Sequence, residues 1–239
     1  LKISYAIDER ISGTATAIKA AENMIESTFL VSFGDVYPEP SLLESLIKKH
    51  LASKRRMGEK LVATLALTKV DDPFNHAPIS FKNDEVLEIW SENSDWVDMG
   101  IMMLEPIIFK AIKETPKVRG EYRILKSLEI LMNRGYKVMA HPTRSPWIQI
   151  GDHSGVMSLI IANNYFLQRN RLDNYVEDSI ISDSRLSRTS IMKSEIINSK
   201  LENCIVYDNA KVVSSELKNC VVVEGAHIEN VREVGKIIT

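Results

Sequence analysis

A short repeat in the last quarter of the sequence constrains the fold more than any other feature. Residues 201–206 (LENCIV) superimpose on residues 217–222 (LKNCVV) at an offset of sixteen. A period near six, with three units to a coil, is typical of a hexapeptide β-helix in which one apolar side chain per face points inward. The aliphatic residues that recur every five or six positions are Ile180, Leu186, Ile191, Ile196, Leu201, Val206, Val212, Leu217, Val222 and Ile228.

Cys204 and Cys220, the two cysteines of the chain, occupy the same position in the superimposed blocks. Stacked coils lie roughly 4.8 Å apart, so we expect the two thiols to lie one above the other. Packing is favoured over a metal site or a disulfide, because no histidine stands at ligand spacing beside them. For the same lack of a histidine-centred site, the repeat is not interpreted as an acyltransferase, and its predicted role is assembly.

The part of the chain that precedes the repeat alternates between strands and helices. Strands are predicted at 2–6, 28–33 and 61–67, with helices after Ser12-Gly13 and after a capping box at 41–44. Extended segments follow over 81–104, then helices from Pro106, over 124–132 up to Gly135, and over 153–170.

The βαβαβ order predicts an α/β fold with a mostly parallel, Rossmann-like sheet and helices on both faces. The predicted domains are residues 1–172 for this α/β part and residues 173–239 for the β-helix.

The run from Thr28 to Asp35 reads as a buried strand that ends on a carboxylate. Ligands of α/β folds bind beyond the carboxyl ends of the strands, so Asp35 is a candidate cation ligand. An ordinary turn at Gly34-Asp35 is the alternative.

Gly13-Thr14 opens a predicted helix. This turn either faces a phosphate or simply joins a strand to the helix. Gly100, inside an extended segment, indicates close approach of a ligand or of another backbone.

Composition excludes several classes of protein. With 30 basic and 32 acidic residues, the chain has no cationic surplus for a nucleic-acid partner. No apolar run is long enough to cross a bilayer, and no signal-peptide pattern opens the chain, so no membrane association and a cytoplasmic location are predicted.

The motifs, taken in order with the repeat, resemble the sugar-1-phosphate nucleotidylyltransferases, also called NDP-sugar pyrophosphorylases, that carry a left-handed β-helix. Residues 13–15 match the family's Gly-Thr-Ala nucleotide turn, and residues 33–35 match its Gly-Asp metal motif. Residues 99–101 match its Asn-Ala-Gly-Ile strand, and residues 147–151 match its Trp-x-Asp-Ile-Gly strand end.

The resemblance implies a nucleoside triphosphate and a sugar 1-phosphate, of glucose or mannose type, as substrates, with Mg²⁺ as cofactor. It also implies a homo-oligomer that assembles through the β-helix. It assigns Asp35 to catalysis and metal binding, Gly13, Thr14 and Gly34 to the nucleotide, and Gly100 to the sugar.

Several positions depart from the family pattern. Gln149, a neutral amide, stands at the second metal carboxylate, and Glu92 stands where a phosphate-binding lysine is expected. Asp8 replaces a frequent glutamine, and Asp152 is a candidate substitute for the second carboxylate. The family's Gly-rich phosphate loop would lie upstream of Leu1.

Two functions therefore stay open after the sequence analysis. The first is a nucleotidylyltransferase, or the larger part of one. The second is a catalytically impaired homologue that acts as a regulatory or scaffolding subunit.

Overall fold

A computed structural model describes residues 2–9, 11–151 and 155–239, apart from the side chain of Asn75. Contacts between residues divide the chain into two compact units, Leu1–Trp147 and Ile148–Thr239. The predicted domain boundary at 172/173 stays a prediction. Within the described ranges, no helix is both long enough and apolar enough to span a membrane.

The strands of the first unit are β1 (Phe29–Ser32), β2 (Val36–Tyr37), β3 (Leu61–Lys69), β4 (Ile79–Lys82), β5 (Glu85–Ile89), β6 (Trp96–Leu104) and β7 (Lys137–Pro142). All of them except β2 form a six-stranded sheet, whose strand order is β1-β6-β3-β7-β5-β4. Strands β3 and β7 pair in parallel, whereas the other neighbouring strands of this sheet pair antiparallel. The α/β class is thus confirmed, and the sheet is mixed where the sequence predicted a mostly parallel one.

Two apolar clusters hold this unit together. Strand β3 is buried along eight of its nine residues, as expected for a central strand with a near-continuous apolar sequence. Leu65 and Leu128 lie in the larger cluster, while Leu46 and Met99 lie in the smaller one. The helices are α1 (Thr14–Ala20), α2 (Pro40–Met57), α3 (Ile108–Ile112) and α4 (Ile124–Asn133).

Three local predictions are wrong in this unit. Strand β1 was predicted to be buried, but its residues alternate between partly buried and exposed, because β1 lies at the edge of the sheet and pairs only with β6. Residues 2–6 form no strand, and Ile3 and Tyr5 are exposed, because no described strand pairs with the segment to complete its backbone hydrogen bonds. Helix α2 begins at Pro40 with Glu39 as its N-cap residue, so the predicted capping box does not form. Proline is favoured at the first helical position, where its missing N–H costs no hydrogen bond.

The second unit contains strand β8 (Ile148–Gln149), helix α5 (Gly155–Arg169) and a three-sided β-solenoid. The start predicted for α5, His153, lies outside the described residues. The solenoid strands are β9 (Tyr175–Glu177), β10 (Ile180–Ser182), β11 (Arg185–Ser187), β12 (Ser190–Met192), β13 (Glu195–Ile197), β14 (Lys200–Glu202), β15 (Ile205–Val206), β16 (Lys211–Val213), β17 (Glu216–Lys218), β18 (Val221–Val222), β19 (His227–Glu229), β20 (Arg232–Val234) and β21 (Ile237–Ile238).

The predicted left-handed β-helix and its offset of sixteen are confirmed. Leu201 lies opposite Leu217 in a parallel ladder, and both side chains are buried inside the solenoid. One inward position was wrong: Ile180 is exposed, and its neighbour Ile181 aligns with Ile196 in the core. Because both neighbours are isoleucine, the apolar pattern alone did not fix which one faces inward.

The two cysteines are buried and unpaired, as the packing interpretation expects. They lie at equivalent positions of successive coils, because Ile205 aligns with Val221. Burial, opposed by hydrogen bonds to the thiol, raises the pKa of Cys204 to about 12. Cys204 is therefore a packing residue rather than a reactive thiol.

Candidate functional site

The turn that carries Asp35 is held against strand β6. Strand β1 ends at Ser32, and the backbone N–H of Phe33 donates to the carbonyl of Gly100 at 2.9 Å. Gly100 has φ +74°, and a Cβ atom added there would lie 2.7 Å from Cδ2 of Phe33. The group that lies close to Gly100 is thus the side chain of Phe33, which precedes Gly34 and Asp35, where the sequence predicted a ligand or another backbone. Roles of Gly34 in nucleotide binding and of Gly100 in sugar binding stay predictions.

The Gly13-Thr14 turn packs against the segment that leads into α4. A Cβ atom on Gly13 would lie 2.5 Å from the carbonyl oxygen of Tyr122, so only glycine fits this position. The N–H of Ala15 donates to the same carbonyl, and the Oγ1 of Thr14 accepts a hydrogen bond from the N–H of Ile124. The turn therefore has a structural role, and its predicted contact with a nucleotide stays a prediction.

The two predicted metal positions fall in different compact units. Asp35 belongs to the first unit and Gln149, on β8, to the second, while Asp152 lies outside the described residues. Among the described residues, no three side chains of His, Cys, Asp or Glu come together as a metal-binding group. The donor set therefore fits Mg²⁺ only if substrate phosphates supply further oxygens, as they do in many phosphoryl-transfer sites.

Asp98 is a partly buried residue with one buried carboxyl oxygen, and no sequence pattern singled it out. It lies on β6, two residues before Gly100, and its Oδ1 atom is buried without a hydrogen-bond partner among the described residues. Burial raises the pKa of Asp98 to about 7, against the opposing effect of the Gly100 backbone N–H. Near neutral pH such a carboxyl can accept a hydrogen bond from a ligand when it is ionised and donate one when it is protonated.

A cationic cavity of about 340 Å³ lies entirely within the first unit. Three separate segments contribute its walls, and the positive charges come from the segment before α4 and from its first turn. The lining residues are Phe74, His76, Pro78, Trp90, Glu92, Val118, Arg119, Arg123 and Lys126.

Arg123 and Trp90 form the centre of this cavity wall. The Arg123 guanidinium carbon lies 5.4 Å from the Trp90 ring centroid, which is cation–π distance. Its Nε atom is buried without a hydrogen bond to a described residue, 3.5 Å from Glu121 Oε2. Trp90 has φ +67°, which is rare for a bulky aromatic residue and typical of functional sites. Arg123 therefore places a guanidinium group at the cavity wall, with its Nε atom facing the carboxylate of Glu121.

Glu92 lies in the same cavity as Arg119, Arg123 and Lys126. Lys126 is also paired with Glu129, 2.5 Å away. The carboxylate that replaces the family's lysine thus shares the cavity with three cations, two of which, Arg123 and Lys126, also have a glutamate partner. This cluster was not predicted from the sequence, although the basic residues of the 117–126 segment are a signal that indicates it.

Comparison with known proteins agrees with the fold and the motifs. Residues 1–168 match the family described as Nucleotidyl transferase, so this chain belongs to the nucleotidyl transferase family. It is 28% identical over 189 residues to "Bifunctional protein GlmU" of Methanococcus maripaludis strain C5, covering 75% of this chain and 42% of that protein. It is 30% identical over 179 residues to the Methanococcus vannielii protein of the same description, covering 70% and 39%. The chain thus spans about two fifths of the length of these relatives.

Solved structures resemble the fold as well. A putative glucose-1-phosphate thymidylyltransferase from Bacillus anthracis gives a TM-score of 0.54 at 23% identity, covering 68% of this chain and 64% of that one. An apo UDP-glucose pyrophosphorylase gives 0.58 at 19% identity, covering 70% and 64%. At these identities the similarity supports the fold alone.

Proposed function

We propose that this chain binds a sugar 1-phosphate in the cavity beside Trp90 and takes part in nucleotidyl transfer to it. The observation that carries the proposal is the group of three cations, Arg119, Arg123 and Lys126, around a cavity of about 340 Å³. Guanidinium groups bind phosphate oxygens with paired, charge-assisted hydrogen bonds. The ring of Trp90 offers an apolar wall beside them, as sugar-binding cavities commonly do.

In the proposed reaction, an oxygen of the sugar 1-phosphate attacks the α-phosphorus of a nucleoside triphosphate. A new P–O bond forms, the bond between the α-phosphorus and the bridging oxygen breaks, and pyrophosphate leaves with the electron pair. The cavity cations hold the attacking phosphate in place and reduce its repulsion from the triphosphate. Asp35 is the proposed ligand of Mg²⁺, which would neutralise phosphate charge when bound.

The remaining expectations accompany this proposal. The substrates are of the glucose 1-phosphate or mannose 1-phosphate type, the nucleotide contacts Gly13, Thr14 and Gly34, and the sugar contacts Gly100. We also propose a cytoplasmic location and a homo-oligomer assembled through the β-solenoid.

A non-catalytic binding subunit is the second candidate, and a specific observation favours it. Gln149 replaces a carboxylate at the second metal position, which removes one full negative charge from a divalent-cation site. In that case the cavity would bind the sugar phosphate as a signal or as a structural ligand, without turnover.

Pyrophosphate release tests the catalytic proposal. The purified chain is mixed with Mg²⁺, glucose 1-phosphate or mannose 1-phosphate, and each nucleoside triphosphate in turn. Turnover that Asp35→Asn abolishes, with folding intact, supports transfer by this chain. Binding of a sugar 1-phosphate without turnover in any combination rejects catalysis by the chain and favours the second candidate.

Binding measurements test the cavity itself. Glu92→Gln removes the opposing carboxylate, so we expect several-fold tighter binding of the sugar 1-phosphate. Arg134→Gln is the matched control, because Arg134 pairs with Glu114 outside the cavity and its loss leaves the affinity unchanged. Equal affinities for all three proteins would contradict an electrostatic role for this cavity.

A further inference from the structure

A buried polar cluster joins three elements at the edge of the sheet from which β3 starts and at which β6 ends. His50 on α2 is fully buried, with Nδ1 2.9 Å from Thr64 Oγ1 on β3 and Nε2 2.9 Å from Glu105 Oε1 after β6. Thr28, just before β1, donates to the same Glu105 oxygen at 2.7 Å. The side chain of Glu105 therefore links the start of β1 to α2.

Hydrogen-bond roles in this cluster depend on the charge of His50. Because ionised Glu105 only accepts, Nε2 of neutral His50 must carry the proton and Nδ1 must accept from the Thr64 hydroxyl. A second ring proton would turn Nδ1 into a donor and force the hydroxyl hydrogen of Thr64 to find another acceptor. Since Thr64 is fully buried, a new acceptor from solvent is not at hand.

Charges around the ring oppose a second proton. Lys54, one turn further along α2, donates to Glu105 Oε2 at 2.6 Å and to Thr28 Oγ1 at 3.0 Å. With Glu105 already paired to Lys54, protonated His50 would leave this buried cluster with a net positive charge. Other titratable groups border α2 or the adjacent cavity: Glu26 and Glu59 line a cavity with Lys54 and Glu105, and His141 and the Lys49–Asp84 pair lie toward β7.

We propose that His50, Glu105 and Thr28 form a proton-sensitive clamp that holds the start of strand β1 to helix α2. In the neutral form of His50 the three hydrogen bonds are complete. When His50 takes up a proton, the buried hydroxyl hydrogen of Thr64 loses its acceptor and the cluster gains a buried positive charge. Both costs favour opening of the cluster, which releases the Thr28 end of β1.

Titration of the clamp falls in a defined pH window. Burial lowers the pKa of His50, outweighing the opposing effect of Glu105, and Lys54 adds to the lowering. A histidine with a lowered pKa stabilises the fold while it is neutral, and this contribution is lost as the pH falls below about 6.5, its value in the unfolded chain. Burial by itself would raise the pKa of Glu105, but hydrogen bonds from Lys54, His50 and Thr28 hold it below its ordinary value. The contribution of Glu105 is therefore lost only under more acidic conditions.

The clamp has a consequence for the proposed site. Strand β1 spans Phe29–Ser32 and leads directly into Gly34 and Asp35. If the proposed function holds, release of β1 at low pH also loosens the turn that carries the metal-binding carboxylate. The test below measures the clamp without substrate, so its outcome does not depend on the proposed function.

Hydrogen exchange of the whole chain between pH 7.5 and 5.5 tests the clamp. After correction for intrinsic exchange, the amides of residues 29–32 are expected to lose protection about tenfold as the pH falls. His50→Gln, which keeps a donor and an acceptor without a titratable ring, is expected to abolish this pH dependence. The matched control is His141→Gln, whose ring contacts Ser45 on the same helix, and it keeps the full change.

A spectroscopic titration of the wild-type protein covers the case in which His50→Gln fails to fold. The ring signals of native His50 are expected to titrate below pH 6.5, whereas the protection of β1 begins to fall near pH 6.5, the pKa of the released ring. Unchanged protection of β1 between pH 7.5 and 5.5, a loss that persists in His50→Gln, or titration of His50 at or above 6.5 would overturn the proposal.

Discussion

Gly100→Ala tests the packing that positions the turn of Asp35. The substitution places a methyl group 2.7 Å from Cδ2 and 3.0 Å from Cγ of Phe33. Contacts below 3 Å between carbon atoms are repulsive, so either the Phe33 ring or strand β6 must move. Because Phe33 immediately precedes Gly34 and Asp35, the displacement reaches the candidate site.

The expected magnitude follows from two contributions. A positive φ costs an alanine about 1–2 kcal/mol, and overpacking of a tight contact costs about 1–3 kcal/mol. Alanine also restricts the unfolded chain, which returns about 0.4–1 kcal/mol. We therefore expect the free energy of unfolding of the first unit to fall by about 1–4.5 kcal/mol.

Gly135→Ala is the matched control for this substitution. Gly135 has φ +86°, but a Cβ atom there would meet no other atom within 4 Å. It therefore carries the cost of the positive φ without the clash, about 1 kcal/mol. Denaturant unfolding followed by tryptophan fluorescence measures both variants, since Trp90, Trp96 and Trp147 all lie in the first unit. A loss for Gly100→Ala no larger than that for Gly135→Ala would refute the argument.

Three further predictions concern the solenoid core, Asp98 and the two cysteines. Leu201→Ala should lower the stability of the second unit by about 2–5 kcal/mol in thermal unfolding. Ile180→Ala should be nearly neutral, because that side chain is exposed. Similar losses for the two variants would contradict the inward position of Leu201 and the outward position of Ile180. Because the pKa of Asp98 is raised, the contribution of this residue to stability falls as the pH rises from about 4 to 7. Asp98→Asn should therefore make the ligand-free protein more stable at pH 8, by at most about 4 kcal/mol. A less stable variant at pH 8 would contradict this. Cys204 and Cys220 should react with a thiol reagent at pH 8 only after unfolding, since both are buried, and rapid labelling of the native protein would show that the solenoid core is open.

Features with a strong local pattern could be predicted from the sequence. The solenoid has a regular apolar period, so its coils and the alignment of Leu201 with Leu217 were predictable. The long apolar run of β3 identified a buried strand for the same reason. The run that forms β1 identified a strand but not its burial, because an edge position is set by which strands pair and not by the local sequence. The inward position of Ile181 was not predictable, because Ile180 is equally apolar.

Features that depend on distant residues could not be predicted in this way. The cationic cavity joins Phe74, Trp90 and Arg123 from three segments, and only the folded sheet brings these segments together. The cluster around His50 likewise needs Glu105, which is 55 residues away. Single charged or polar residues carry no periodic signal, so their partners become visible only in three dimensions.

The most direct test of the central claim compares glucose 1-phosphate with glucose by calorimetry, in the wild type and in Arg123→Gln. If the cavity beside Trp90 recognises the phosphate, the wild type binds glucose 1-phosphate, and the variant binds it about tenfold to a hundredfold more weakly, as expected for loss of a charge-assisted hydrogen bond. The variant should leave the weak binding of glucose unchanged. Equal affinity of the wild type and Arg123→Gln for glucose 1-phosphate would contradict the account.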